Sequence, residues 1–291
     1  MPRAGKTRNS GSASAPQQYR KRTRNMGQSQ GTASDDNGAV PWGSLPVSLQ
    51  EEVLLRVPAQ DVVLSCSRVC KLWWQLADST SLWKRRCAQE GLRPCDPQCP
   101  PANWKIFYFL CMKMHNLLKN PCAEDKFNGW HLQHNGGDKW NIEDVSPHHA
   151  LPDLSVQKFF VTSYGQCLKS QLIDLVKKGY PPSLLDEVQP DIVVSDWYAP
   201  RWDCGCQYEI CVQLLSHRKK VLQEFRPKMV IFPQWNDMQW NQVRHVFQKY
   251  GRGVRFVRFC HGGKDTQFWA GWYGIRVTNS SVEIDPGLDR D

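Results

Sequence analysis

Across residues 206–215 the chain alternates without a break: Tyr208, Ile210, Val212 and Leu214 are apolar, and Glu209, Cys211 and Gln213 lie between them. A period of two suits a strand with one buried and one wetted face, and it does not suit a helix. Further strands are expected at 158–163, 191–198, 220–225, 243–249, 254–261 and 277–284. Trp130, Leu132, Trp140 and Ile142 flank Asn135-Gly-Gly-Asp138, a turn that tolerates positive φ, and together they predict a hairpin. Only 167–179 and 182–187 look helical in this part of the chain. Strands this dense predict an antiparallel β-sandwich over residues 120–286.

Before residue 120 the period is helical. Ser48 is placed to cap a helix that carries Val53, Leu54 and Leu55 and stops at Pro58. A second helix is expected over 60–70, with Val62, Val63, Cys66, Val69 and Cys70 at helical spacing, and a third carries Trp73, Trp74, Leu76, Leu82 and Trp83 toward Gly91. A module this small, residues 40–91, buries a limited share of its surface and leaves apolar area for a partner. Pro94, Pro97, Pro100 and Pro101 then interrupt the helical run. Residues 103–118, inside a linker region of 92–119, read as one more helix with Trp104, Phe107, Tyr108, Leu110, Cys111, Met114 and Leu118 on a broad apolar face.

Charge looks like a nucleic-acid signal until it is located. Arg3, Lys6, Arg8, Arg20, Lys21, Arg22 and Arg24 supply seven of the net +9, with no acid before residue 25, which leaves +2 to the rest of the chain. A nucleic-acid reader carries its basic patch on the folded part, so nucleic acid is not the expected partner. Residues 1–39 are polar and nearly free of apolar side chains and are expected to be a disordered basic tail, with a second short tail at 287–291. The 12 cysteines are expected to be reduced, because no hydrophobic leader opens the chain. Cys95-x3-Cys99 and Cys204-x-Cys206 lack the second pair that a zinc site needs, so no metal or other cofactor is expected. No apolar run reaches the ~20 residues that cross a bilayer, which predicts a soluble cytosolic or nuclear protein. No cysteine stands in a visible nucleophile–base arrangement, so no catalytic site is expected.

Residues 261–279 combine Phe268, Trp269, Trp272 and Tyr273 with Gly262, Gly263, Gly271 and Gly274. Aromatic faces on a glycine-shaped loop suit a sugar, which offers C–H surface ringed by hydroxyls. The same rings could instead close the end of a sandwich core.

Leu45-Pro46, Val53-Leu54, Val57-Pro58, Cys66-x-x-Val69-Cys70-x-x-Trp73 and Leu82-Trp83 resemble an F-box, the helical module that docks on the Skp adaptor of cullin-RING ubiquitin ligases. The resemblance implies that Leu45, Pro46, Leu49, Leu54, Val57 and Trp73 contact the adaptor or build the core behind that contact. Residues 116–286 are similar to the F-box-associated domain of the sugar-recognising F-box proteins. The matching text includes Asn135-Gly-Gly-Asp138, Phe160-Val-Thr-Ser-Tyr164, Pro190-Asp-Ile-Val-Val-Ser-Asp-Trp197, Asp203-Cys-Gly-Cys206 and the whole run from His261 to Gly274. The implied architecture is an α+β multidomain chain: a three-helix F-box, a helical linker, and a jelly-roll-like, galactose-binding-like antiparallel sandwich.

That family's glycan binders hold the inner chitobiose of a high-mannose N-glycan among loops at one end of the sandwich. Carried onto this chain, the site residues are Tyr164, Asp203, Phe268, Trp269 and Ala270. Phe268 and Ala270 stand where the best-known binder has Tyr and Lys. Two lost hydrogen bonds, at a net ~0.5 to 1.5 kcal/mol each, weaken binding tenfold or more. The resemblance therefore implies a non-enzymatic adaptor that captures misfolded N-glycoproteins for ubiquitination in the cytoplasm, at the cytosolic face of the endoplasmic reticulum. The alternative left open is a sandwich that recognises protein clients independently of glycan.

Overall fold

The computed structural model describes residues 42–94, 96–146, 149 and 151–286. The tails expected at 1–39 and 287–291, and Cys95 of the Cys95-x3-Cys99 pair, lie outside the described residues. The chain divides into a unit that ends at Leu45 and a unit over Pro46–Asp291. In the first, Trp42–Ser44 forms a 3-10 turn and the Leu45 N–H donates to the Trp42 carbonyl at 3.2 Å.

The second unit opens with helices α1 (Val47–Leu55), α2 (Ala59–Leu64), α3 (Lys71–Ala77), α4 (Thr80–Gln89) and α5 (Trp104–Met112). Ser48 is not a cap, because α1 begins at Val47 directly after Pro46, whose fixed φ suits a helix start. The helix expected over 60–70 ends at Leu64, and a 3-10 turn follows at Cys66–Arg68. There the Ser67 hydroxyl donates to the Val63 carbonyl at 2.6 Å, a local bond that competes with the helical ladder. The third expected helix is two, α3 and α4, divided where Ser79 caps α4 by accepting the Leu82 N–H at 3.2 Å. Leu54, Val62, Leu76, Leu82, Trp83 and Cys87 form the core of this module, together with Phe107 and Tyr108 of α5. Arg86 is buried among them and donates to the carbonyls of Leu54 and Val57 at 2.9 and 2.7 Å, satisfying orphan groups at the end of α1.

Helix α5 stops at Met112, short of the 118 expected. The next residues bond to the sandwich instead. The Leu117 N–H donates to the Val282 carbonyl at 2.8 Å, while the Asn116 amide donates to the Ser280 carbonyl at 2.8 Å and accepts the Val282 N–H at 3.1 Å.

Strands β1 (His131–Asn135), β4 (Cys167–Asp174), β10 (Val254–Asp265), β6 (Cys206–Ser216) and β7 (Val221–Phe225) lie in that order in one sheet, with β8 (Val230–Phe232) also pairing β6. The other sheet runs β2 (Asn141–Asp144), β3 (Lys158–Val161), β11 (Arg276–Asp285), β5 (Asp191–Ala199) and β9 (Asn241–Phe247). The strand pairs are antiparallel. The two sheets face each other over a core that includes Phe160, Ile192, Val194, Tyr208, Ile210, Val212, Leu214, Val257 and Val282. β6 buries Cys206, Tyr208, Ile210, Val212 and Leu214, as its alternation requires.

Two expectations for this domain are corrected. Residues 167–174 are strand β4, not helix, with β1 on one edge and β10 on the other. Leu168, Leu172 and Leu175 fall at helical spacing, and the buried polar run Lys169-Ser170-Gln171 hides the period of two. The expected hairpin around Asn135-Gly-Gly-Asp138 does not form either: β1 joins one sheet and β2 the other. The turn is real, and it serves as a corner between the sheets. Helical structure expected at 182–187 is present as a short turn ending in a π-helical stretch at Leu184–Val188.

Register shows where the corners fall. Asn135 pairs with Cys167, Gly263 with both Cys167 and Tyr208, Cys206 with Phe232, Arg276 with Val161 and Ala199, and Tyr198 with Asn241. The connections 136–140, 162–166, 200–205, 233–240 and 266–275 therefore cross between sheets at the same end of the sandwich.

Candidate functional site

The 266–275 connection leaves β10 at Asp265, whose carboxylate is buried. It accepts the Phe268 N–H at 2.7 Å and the Trp269 N–H at 3.2 Å. Burial raises its pKa, and those two N–H groups pull the other way. Phe268 adopts φ +62° and is 76% exposed, and Trp269 is 40% exposed. A non-glycine residue at positive φ is strained, and a phenyl ring in water gains no burial in return. The buried carboxylate holds the loop in this shape.

A second carboxylate supports the far side of the loop. Asp138 accepts the Gly271 N–H at 2.5 Å, its carbonyl accepts the Trp272 indole N–H at 3.3 Å, and its own N–H donates to the Ser163 hydroxyl at 2.9 Å. That hydroxyl donates in turn to the Gly271 carbonyl at 2.7 Å. Gly165 permits the close approach of these loops, because a Cβ there would lie 2.3 Å from the Gly137 nitrogen.

Tyr164 is half-buried with its ring 5.2 Å from that of Phe268, tilted 56°, and Trp269 stands edge-on to Tyr273 at 5.6 Å. Tyr164 and Phe268 thus form one ring pair and Trp269 and Tyr273 another, on the connection that carries Phe268, and Ala270 lies exposed next to Trp269 in the chain. Asp203 sits half-buried on the 200–205 connection. Its carbonyl accepts the Gln234 amide at 3.0 Å, and its carboxylate takes no hydrogen bond among the described residues. Its loop is tied to the aromatic one. The Gly205 N–H donates to Gln267 Oε1 at 2.8 Å, the Thr266 N–H donates to the Gly205 carbonyl at 2.9 Å, and Arg201 donates to the Trp272 carbonyl at 2.8 Å while gripping both oxygens of Glu143.

Between the sheets runs a fully buried polar chain. Lys169 Nζ lies 2.6 Å from His261 Nε2 and 3.2 Å from the centre of the Trp130 ring. His261 Nδ1 donates to Asp196 at 2.5 Å, and that carboxylate also accepts Tyr208 at 2.6 Å and Ser280 at 2.7 Å. Burial lowers the His261 pKa to about 4 and drops that of Lys169 as well. A neutral imidazole fits these partners. With no path to solvent, the chain ties β4, β5, β6, β10 and β11 together.

Burial pushes the Cys204 thiol up to about 11 and that of Cys206 higher, the reverse of what a thiolate nucleophile or metal ligand requires. Among the described residues no group of three or more His, Cys, Asp or Glu has metal-binding geometry, and no helix is long and apolar enough to cross a membrane.

Of the residues singled out on the helical module, Leu54 is fully buried and belongs to its core. Val57 and Trp73 are half-buried against that core, Pro46 is exposed, and Leu49 is 51% exposed. Val47, Val53 and Trp74 are exposed too and were not singled out. Sequence reading also missed Asp265, Asp138, Arg201 and an exposed pair, Trp202 and Trp235. Asp265 alone carried a local hint, a carboxylate three residues before an aromatic run.

Comparison with known proteins supplies the context. A family model described as F-box-like matches residues 42–89, and one described as F-box associated region matches residues 108–284. The chain is 52% identical over 254 residues to F-box only protein 6 of Bos taurus, covering 87% of this chain and 96% of that protein. It is 50% identical over 246 residues to F-box only protein 44 of Mus musculus, covering 84% and 96%, and 45% identical over 247 residues to F-box only protein 2 of Bos taurus, covering 83% of each.

Proposed function

The chain belongs to the F-box only proteins that carry an F-box associated region, a substrate-recognition subunit of an SCF ubiquitin ligase, and we propose that it reads the inner chitobiose of N-linked high-mannose glycoproteins. The helical module docks on the Skp adaptor and cullin-RING core, with Leu45, Pro46, Leu49, Val57 and Trp73 at or behind the contact. The sandwich holds the client for ubiquitination and ER-associated degradation at the cytosolic face of the endoplasmic reticulum. The chain contributes no catalysis of its own.

The observation that carries the glycan reading is the display of exposed Phe268, on strained backbone, and of exposed Trp269 after it, on a loop held by buried Asp265. Trp269 offers a face for the apolar side of a sugar ring, with Phe268 and Tyr164 as an adjoining wall. The free Asp203 carboxylate accepts from hydroxyls or an acetamido N–H. Inner chitobiose is covered in a folded glycoprotein, so a site that needs both its rings selects unfolded clients. The Ala270 side chain supplies no donor, so stacking must carry a larger share of the affinity beside the bonds to Asp203.

Co-precipitation of denatured glycoproteins by the full chain, before and after enzymatic removal of N-glycans, tests this. Capture should disappear with the glycan and with Trp269→Ala. Capture that survives deglycosylation would instead establish the rival, a sandwich that recognises polypeptide.

A further inference from the structure

Trp202 and Trp235 are 53% and 63% exposed, and their rings lie 4.8 Å apart at 51°. They come from the 200–205 connection that carries Asp203 and from the 233–240 connection, whose Gln234 donates to the Asp203 carbonyl. Large aromatic side chains are ordinarily buried, and exposing two together at one place calls for a reason.

The backbone beneath them is built to hold this display. The Asn236 amide donates to the carbonyls of Arg201 at 2.6 Å and Pro233 at 2.9 Å, its N–H donates to the Trp202 carbonyl at 3.1 Å, and its side-chain oxygen accepts the Met238 N–H at 2.9 Å. One side chain thus clamps both tryptophan loops. Trp235 has φ +61°. Among the described residues the only aromatic side chains on positive-φ backbone are Trp235 and Phe268, and both are more than half exposed at this end of the sandwich. The display occurs twice: a carboxylate bonds the Phe268 N–H directly, and the Asn236 amide clamps the backbone on either side of Trp235, at Pro233 and Met238. Strained backbone of this kind concentrates at ligand-holding sites.

We infer that Trp202 and Trp235 form a second saccharide-stacking subsite, taking a sugar residue of the N-glycan that lies outside the chitobiose. A sugar is favoured over an apolar peptide because the pair has polar company: the Asp203 carboxylate follows Trp202 directly and takes no hydrogen bond among the described residues, and Gln234 precedes Trp235. Asp203 then lies between the two aromatic surfaces in connectivity, its loop bonded to the Trp269 loop through Gly205 and Gln267. The subsite rests on the glycan reading above and extends it.

The test is a calorimetric titration of the full chain with chitobiose and with a high-mannose N-glycan, for the wild type and for a Trp202→Ser/Trp235→Asn double variant. Asn tolerates the backbone that Trp235 adopts, and thermal melts verify folding; Trp202→Ser alone serves as a second variant. The double variant should bind chitobiose as the wild type does and bind the larger glycan about three- to tenfold more weakly, the order of one aromatic stacking contact. Equal affinities of variant and wild type for both sugars, or equal loss for both, overturn the subsite while leaving the glycan reading intact. A wild type that binds neither sugar overturns both. If the variant keeps both sugar affinities but loses a deglycosylated, unfolded polypeptide, the pair is a peptide contact and the saccharide assignment fails.

Discussion

The carboxylate of Asp265 accepts the backbone N–H of Phe268 at 2.7 Å and so fixes an exposed ring on left-handed backbone. Asp265 is itself buried, so its contribution to ligand binding is positional. Asp265→Asn should leave the sandwich folded and weaken chitobiose binding about tenfold, the scale of one charge-assisted hydrogen bond. Calorimetry beside a thermal melt checks this. Unchanged affinity in a folded variant would mean that the loop keeps its shape without the carboxylate.

The buried chain through His261 makes stability depend on acid. With a folded-state pKa of about 4 against an ordinary value of 6.5, the unfolded chain takes up a proton on this residue that the folded chain refuses. Stability should therefore fall as pH drops from about 6.5 toward 4, by a few kcal/mol in total, and the penalty should level off below that. Asp186, held near 2 by Arg255, adds a separate loss below its ordinary value of 3.8. Urea titrations across this range should show the slope, and His261→Gln should flatten its upper part while lowering stability overall.

On the helical module, core and contact residues separate by burial. Leu54→Ala empties a fully buried site and should cost about 2 to 5 kcal/mol. Leu49→Asp, on an exposed position of α1, should change stability by under about 1 kcal/mol yet abolish co-precipitation of the Skp adaptor. Retained adaptor binding by Leu49→Asp would move the docking face elsewhere.

Gly263 lies between two strands at φ +155°, where a Cβ would meet the Gln207 carbonyl oxygen at 1.8 Å. Gly263→Ala should destabilise the sandwich by about 3 kcal/mol or more, read as a lowered melting temperature. A melt equal to that of wild type would show that β6 and β10 can part at this register.

How much of this could be read from the chain alone differs from element to element. β6 was legible because one of its faces is buried and the other wetted, so its period survives in the residue types. β4 was not, since Lys169 and Gln171 are buried and satisfied by partners far away in sequence, His261 and the backbone of Lys119. At Asn135-Gly-Gly-Asp138 the turn chemistry was visible, whereas the choice of partner strand is a tertiary matter that no local signal carries. Phe268 and Trp269 stood out as aromatics on a glycine-shaped loop, whereas Tyr164 came from resemblance alone, and its ring packs beside that of Phe268. Trp202 and Trp235 meet only through sheet register, and neither stands in a local pattern that sets it apart.

The most direct measurement is a calorimetric titration of the full chain with chitobiose, wild type against Trp269→Ala. The account predicts saturable binding that the substitution removes while the melt stays unchanged. Absence of binding heat from a folded wild type, or equal binding by Trp269→Ala, would contradict the assignment of this surface to a sugar.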